Sequence, residues 1–419
     1  MPMPTPVSPL PDIFRERSAR YGNAIALKQE GSICIAPQIM FLPIYMYGET
    51  TVQAVMEDYR NCIPSWLRYH EEFQPDLYWA PGSILPKRPL ETLDCRYARW
   101  PGRHVDANAS FQLLDHEFMS ADEYVEYAED PTGFVLRRVL PRHYGQLQGL
   151  EQIDLAGAVF TDGIYSMIPF ATPQVRQALD AMTKAGAEAM DYAQALGEIG
   201  GMFAERGWPS ALDSMFEAPF DMFNDLLRGL LNATMDVVTC PDELLLALET
   251  ATRVQVRRIR TYMQQNPWAK SIYFFLHNGS DIFMSPDAFG TFYWPGLKAC
   301  IEAIVELGGT PGIFLEEKYD QKLDYLADVP KGRVLYHFTG GDLRLVKQKL
   351  GGIACISGGV DGVLLQHGSP EQVERNVRET LDICMQDGGY FLDTTVPLDL
   401  AKPENLHTLF DTARKYGVY

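Results

Sequence analysis

From Ser271 to Tyr419 the chain repeats one unit four times: a short apolar run, a glycine- or acid-marked end, and a helical stretch. The apolar runs are Lys270–His277, Gly312–Leu315, Arg333–Phe338, Ile353–Ser357 and Tyr390–Asp393. Their ends carry Asn278-Gly279, Glu316-Glu317, Gly340-Gly341 and Gly358-Gly359. Strands alternating with helices at this spacing call for parallel βαβ crossovers. The fold expected is a (β/α)8 TIM barrel with an N-terminal extension and inserted helices, one domain over 1–419. In such a barrel the C-terminal strand ends surround the active site.

The first half is read less regularly. Strands are expected at Ser32–Leu42, at 76–80 ending on Pro81-Gly82, and at Leu155–Thr161. A helix over Thr51–Phe73 should bend or split at Pro64, where the ring removes a backbone donor. Ser120 is the natural N-cap of a helix to Ala128, and Arg88–Gly102 reads as extended pieces. From about 172 to 265 the pattern is almost wholly helical, which predicts a helical insertion beside the barrel.

Charge excludes whole classes of partner. With 55 acidic against 36 basic side chains, the net charge of −19 repels phosphate backbones, so no nucleic acid is expected. The seven cysteines are scattered and form no CxxC pair. That usage fits reduced thiols in a cytoplasmic protein. No apolar stretch is long enough to span a membrane, and the proline-rich start is not a signal peptide.

The strand ends supply the candidate chemistry. One carboxylate of Glu316-Glu317 should enter the barrel mouth, as metal ligand, acid–base group or substrate anchor; a solvated loop pair is the alternative. His337, on the next strand, pairs with it as imidazole beside carboxylate, which suits zinc or proton transfer; a histidine bonded to a carbonyl is the alternative. His277 and Asp281 flank the Asn278-Gly279 turn, and Asp393 ends the last strand. Tyr165 follows the expected third strand with a phenol. Tyr293 and Trp294 suit either the core or the wall of an aryl pocket. Asp342 reads as an N-cap. The glycine pairs match no phosphate-loop pattern and read as tight turns.

The runs HNGSDIFMSPDAFGTFYWPGLKACIEAIVELGG, SGGVDGVLLQHGSPEQVERNV and GGYFLDTTVPLDLAKPENLHTLFDTARKYG resemble the uroporphyrinogen decarboxylase superfamily, and within it the corrinoid-dependent methyltransferases. The resemblance covers roughly 270–419 and thins before that. LAGAVFTDGIY resembles the decarboxylase segment that ends in an active-site tyrosine, which falls on Tyr165. The decarboxylases' arginine pair is missing from IAPQIMFLPIY, Ser83 stands where their aspartate would be, and Val396 where their late histidine would be. The zinc-thiolate methyltransferases' HxC position reads EEK here, with Glu316 at the histidine place.

What the resemblance implies is a methyltransferase that moves a methyl group from a small, aromatic O-methyl compound to a corrinoid (cobalamin) on a partner protein. This chain has no DxHxxG cobalamin pattern of its own. Glu316, His337 and Tyr165 would be catalytic, with Glu316 and His337 also the ligands if zinc is bound. His277, Asp281, Trp294 and Asp393 would contact the substrate. The family usually pairs subunits, so a homodimer is an open expectation. The alternatives are a decarboxylase or other lyase of a small substrate on the same barrel, and a tetrapyrrole decarboxylase-like protein without the usual active site.

Overall fold

The computed structural model describes residues 10–81 and 84–419. Gly82 and Ser83, and with them the strand end at Pro81-Gly82 and the aspartate-to-serine departure, lie outside the described residues, as does most of the N-terminal arm.

Nine strands are described: β1 (Cys34–Ile35), β2 (Ala98–Arg99), β3 (Gln112–Leu113), β4 (Ser214–Met215), β5 (Ser271–Leu276), β6 (Thr310–Leu315), β7 (Leu335–Phe338), β8 (Cys355–Val360) and β9 (Tyr390–Thr394). Seven form one parallel sheet in the order β1-β9-β8-β7-β6-β5-β4; β2 and β3 pair separately as an antiparallel ribbon. The sheet's two edges are joined through residues 76–80. The Asp76 N–H donates to the Ile35 carbonyl (2.8 Å), the Tyr78 N–H to that of Pro209 (2.8 Å), and the Ala211 N–H to that of Tyr78 (2.9 Å). With that segment counted, seven strands become an eight-membered closed ring, the expected barrel.

Two aspartates, Asp76 buried and Asp213 half-buried, hold the N-terminal rim where strands are short. Asp76 takes the Ile35 N–H (2.8 Å) and the Arg20 guanidinium (2.6 Å). Asp213 takes the N–H groups of Lys270 (2.8 Å) and Ser271 (3.0 Å). Each carboxylate satisfies backbone donors that the incomplete ladder leaves free.

The five C-terminal strands start and end within about three residues of the expected positions, because their apolar runs are bounded by turn residues. Between Thr51 and Phe73 the chain forms Val52–Glu57, a 3-10 turn at Tyr59–Cys62, and Ile63–Phe73; the helix is split, with the break at extended Asp58 and Pro64 in the first turn of the second helix, where its missing N–H is not needed. Ser120 makes a capping box with Glu123, and Asp342 caps Leu343–Leu350.

Three expectations are corrected. Leu155–Thr161 is not a strand. It is a 3-10 stretch whose Val159 and Phe160 are exposed (85% and 68%), because its apolar residues have no sheet face to bury against. The third barrel strand is instead β4, which lies inside the stretch read as helical. That stretch does contain the 33-residue helix Pro173–Glu205 and the 25-residue helix Pro241–Gln265. Of Arg88–Gly102, expected to be extended, the first part lies in the helix Lys87–Thr92, and only Ala98–Arg99 is strand.

Candidate active site

Side chains on alternate residues of a strand share a face. One register row around the ring is Phe275, Phe314, His337, Ser357 and Phe391. This row faces the barrel axis: Asp393 on β9 reaches His337 on β7 across the intervening β8, which only the concave side permits. Two residues further along, on the same face and at the mouth, come His277, Glu316, Gly359 and Asp393. The premise that the strand ends converge on one hollow therefore holds for these side chains.

They do not pair as expected. Glu316 lies beside His277, with Oε1 3.7 Å from Nε2. His337 lies one layer deeper; its Nδ1 bonds Ser357 Oγ (2.9 Å) and lies 3.3 Å from Asp393 Oδ2. The carboxylate–imidazole pair on neighbouring strands is thus Glu316 with His277, because Glu316 stands level with the end of β5 and two residues above the row of His337.

Three further acids complete the mouth, all missed in the sequence. Glu217, Asp221 and Asp225 follow β4 at intervals of four, through the helix Pro219–Phe223 and a wide turn over Asn224–Arg228. Residues four apart lie on one helical face. Asp225 Oδ2 sits 2.5 Å from His277 Nδ1. Asp221 is fully buried; it accepts the His277 N–H (3.1 Å) and the Tyr293 hydroxyl (2.5 Å). The wide turn is anchored by Arg228, whose Nε bonds Asp236 (2.6 Å) and whose guanidinium also meets Glu117. Asn278 ties the histidine loop to the same turn through Asn224 (3.1 Å) and to the following helix Leu230–Thr239 through Thr234 (3.0 Å).

Donor atoms of Glu217, Asp225 and His277 all lie within 4.8 Å of one another. Two carboxylates and an imidazole form a hard donor set that suits a divalent cation. Four acids around one histidine leave negative charge uncompensated, and the ionisations show it. Burial alone lowers the His277 pKa, but the hydrogen bond and charge of Asp225, then the charges of Asp221 and Glu316, raise it to about 10. Burial and the Asp225 charge push Glu217 up to about 7. Burial and Asp225 likewise push Asp221 well above the carboxylate range, and burial raises Glu316 against the pull of His277. The residues present fit a cation.

The other sequence candidates sit elsewhere. Tyr165 is 67% exposed on the 3-10 segment Gly163–Ala171, not at a strand end, since the strand it was to follow does not form. Trp294 is buried in the helical core against Phe289 rather than on the wall of the mouth. Asp281 spends its carboxylate on loop structure, accepting from buried Lys322 (2.7 Å) and the Gln321 N–H (3.2 Å). His337 lies outside the group of possible metal ligands among the described residues. The wall that is aromatic runs up β5 and across β6: Tyr273 stacks on Phe275, Phe275 meets Phe314 at 5.2 Å, and Phe314 stacks on His337 at 4.2 Å.

No protein-family profile matches the chain, and no curated protein matches it in sequence. Among solved structures it is similar to a methyltransferase from Methanosarcina mazei, with a TM-score of 0.60 at 15% identity over 96% of this chain and 98% of that one. A B12-independent methionine synthase from Shewanella sp. matches more distantly, with a TM-score of 0.34 at 13% identity over 48% of this chain and 61% of that one. At these identities the first likeness supports the TIM-barrel fold along nearly the whole chain, and the second carries no further weight.

Proposed function

We propose that this chain is a methyltransferase of the uroporphyrinogen decarboxylase superfamily, of the corrinoid-dependent kind, built around a carboxylate–histidine cation centre. It would take the methyl group of a small aromatic O-methyl compound and pass it to a corrinoid on a partner protein seated over the mouth. The observation that carries this reading is the convergence of Glu217, Asp225 and His277 at the carboxyl ends of the strands, with Glu316 beside them. The likeness in fold to a methyltransferase agrees with it.

A divalent cation such as zinc, held by Glu217, Asp225 and His277, would supply a Lewis acid that draws electron density from the departing oxygen. Asp225 fixes the ring orientation of His277, as carboxylates do for ligating histidines. Asp221, itself held by Tyr293, fixes the His277 backbone. Phe275, half-buried and packed on buried Phe314, would give an apolar contact for the ring. A corrinoid on the partner would supply the nucleophile that accepts the methyl group, while the cation held by this chain would stabilise the phenolate that departs and then takes a proton. The donor set holds no thiolate, so it favours oxygen over sulfur as the group polarised.

The test is the Co(I) absorbance of a corrinoid protein mixed with enzyme and an aryl methyl ether. Loss of the Co(I) band is expected with the wild type, and about 10- to 100-fold slower with Asp225→Asn, in line with loss of a ligand-orienting carboxylate. An unchanged Asp225→Asn rate would take Asp225 out of the centre; carbon dioxide release from a carboxylated substrate without corrinoid, and no loss of the Co(I) band, would replace this reading with a lyase.

A further inference from the structure

One stretch of the chain is apolar on its outside. Between Leu155 and Ile168 seven large apolar side chains are 42% to 85% exposed, Phe160 and Tyr165 among them. At the size of such side chains this is on the order of 700 Å² of apolar surface. The largest patch of an ordinary monomer is about 300–600 Å², and a stable interface buries about 800 Å² on each partner. The segment carries one acid, Asp162, and no basic residue to meet an anionic lipid surface. It runs into the 33-residue helix Pro173–Glu205.

A slot of matching character lies at the other end of that helix. A cavity of about 940 Å³ is lined by its Gly197, Gly200 and Ala204, by Tyr262 of Pro241–Gln265, by Met215 of β4 and by Phe14 of the helix Asp12–Ile25. Glycine and alanine there leave the room that larger side chains would fill. Lys270 also lines the slot, with the sign opposite to that of Asp162. Between segment and slot the helix carries an exposed, uncharged row of Leu179, Met182, Gly186, Met190 and Ala193, whose spacings of three and four keep one face. The row continues at that spacing into Gly197, Gly200 and Ala204. A Cβ at Gly186 would meet no atom within 4 Å, and glycine weakens a helix interior, so the single chain has no use for it there. A second helix has, because a small residue at the contact lets two helices approach closely.

The row is placed symmetrically about Gly186. Met182 and Met190 lie four residues to either side, Leu179 and Ala193 seven. Pro173, where the exposed segment joins the helix, is thirteen residues before Gly186, and Ile199, midway along the slot-lining stretch, is thirteen after. Each is about 20 Å along the helix. An antiparallel second copy therefore sets Met182 against the partner's Met190 and Leu179 against the partner's Ala193, large against small. It also brings each exposed segment over the other copy's slot. That is the self-complementarity an isologous contact requires. Two chains of net charge −19 approach each other best where charge is sparse, as it is here. We propose that a second copy of this chain packs antiparallel along Pro173–Glu205 about a two-fold axis at Gly186, with the 155–168 segment of each copy seated in the slot of the other.

Sedimentation of the full chain at micromolar concentration tests this without any methyl transfer. The wild type should run at twice the 47.2 kDa of one chain. Gly186→Arg should run as one chain, with a melting temperature no lower than that of the dissociated wild type, since the position is open and arginine favours a helix. Phe160→Asp should weaken the dimer at least about tenfold, the scale of one buried aromatic anchor. Gly186→Cys, on the axis, should give a disulfide-linked dimer on mild oxidation. Ala193→Cys, whose two copies would stand about 20 Å apart, should not, and neither should the wild type. A monomeric wild type, a dimer that survives Gly186→Arg, a dimer as tight in Phe160→Asp as in the wild type, or no cross-link through Gly186→Cys would overturn the proposal. Flotation of a monomeric wild type with vesicles of neutral lipid would give the segment to a membrane instead.

Discussion

At the residue scale, the mouth is organised by one histidine and the acids around it. His277, Glu316, Asp393 and His337 were legible in the sequence because each closes or nearly closes an apolar run. Their partners were not, since side-chain pairing depends on barrel stagger, which sets Glu316 level with His277 and leaves His337 a layer below. Tyr165 provides the contrast. Its identity was read from a resembling segment, but its side chain is largely exposed away from any strand end. Tyr165→Phe should leave the methyl-transfer rate within about twofold, measured by the same Co(I) assay; a loss on the scale of Asp225→Asn would return the phenol to the site.

The mouth also has a pH signature. Both Glu217 and His277 hold their protons more tightly in the folded chain than in the unfolded one. A bound proton then favours the native state. The Glu217 contribution is present below about 4.5 and lost through about 7; that of His277 is present below about 6.5 and lost through about 10. The metal-free protein should therefore lose thermal stability as pH rises across this window. A divalent cation, which replaces protons at the same atoms, should flatten the fall. Melting curves in chelator and in zinc, from pH 5 to pH 9, measure both; a metal-free melting temperature that rises with pH would contradict this account.

At the element scale, periodicity works where strands are long and fails where they are short. β5 through β9 are apolar runs with clear stops. β4 is two residues long, and 76–80 joins the ring through the single bridge of Tyr78 to Ser210 and the Asp76 N–H bond to Ile35. These places depend on aspartates instead of continuous ladders, and no sequence window reports a carboxylate that will bond the start of another strand. The acids after β4 were missed for the same reason: without the strand, the spacing of Glu217, Asp221 and Asp225 has no mouth to face. Asp213→Ala removes the acceptor of two strand-start N–H groups and should destabilise the fold by about 2 kcal/mol. Denaturant unfolding would show it, and a change under about 0.5 kcal/mol would mean that water serves those donors as well.

At the scale of the whole molecule, the strongly acidic surface and the acidic mouth have the same sign. A chain with net charge −19 that also gathers four carboxylates at its strand ends is electrostatically poised for a cation and set against polyanionic substrates. The fold was legible because the closed parallel ring is written five times in the C-terminal half. The site was only half legible because it is assembled from both halves of the chain. The most direct measurement is the metal content of the purified full-length protein beside that of Asp225→Asn and Glu217→Gln. About one divalent ion per chain in the wild type, reduced in both variants, is the predicted result. A wild type that transfers methyl groups with no bound metal, even in the presence of added zinc, would contradict the account.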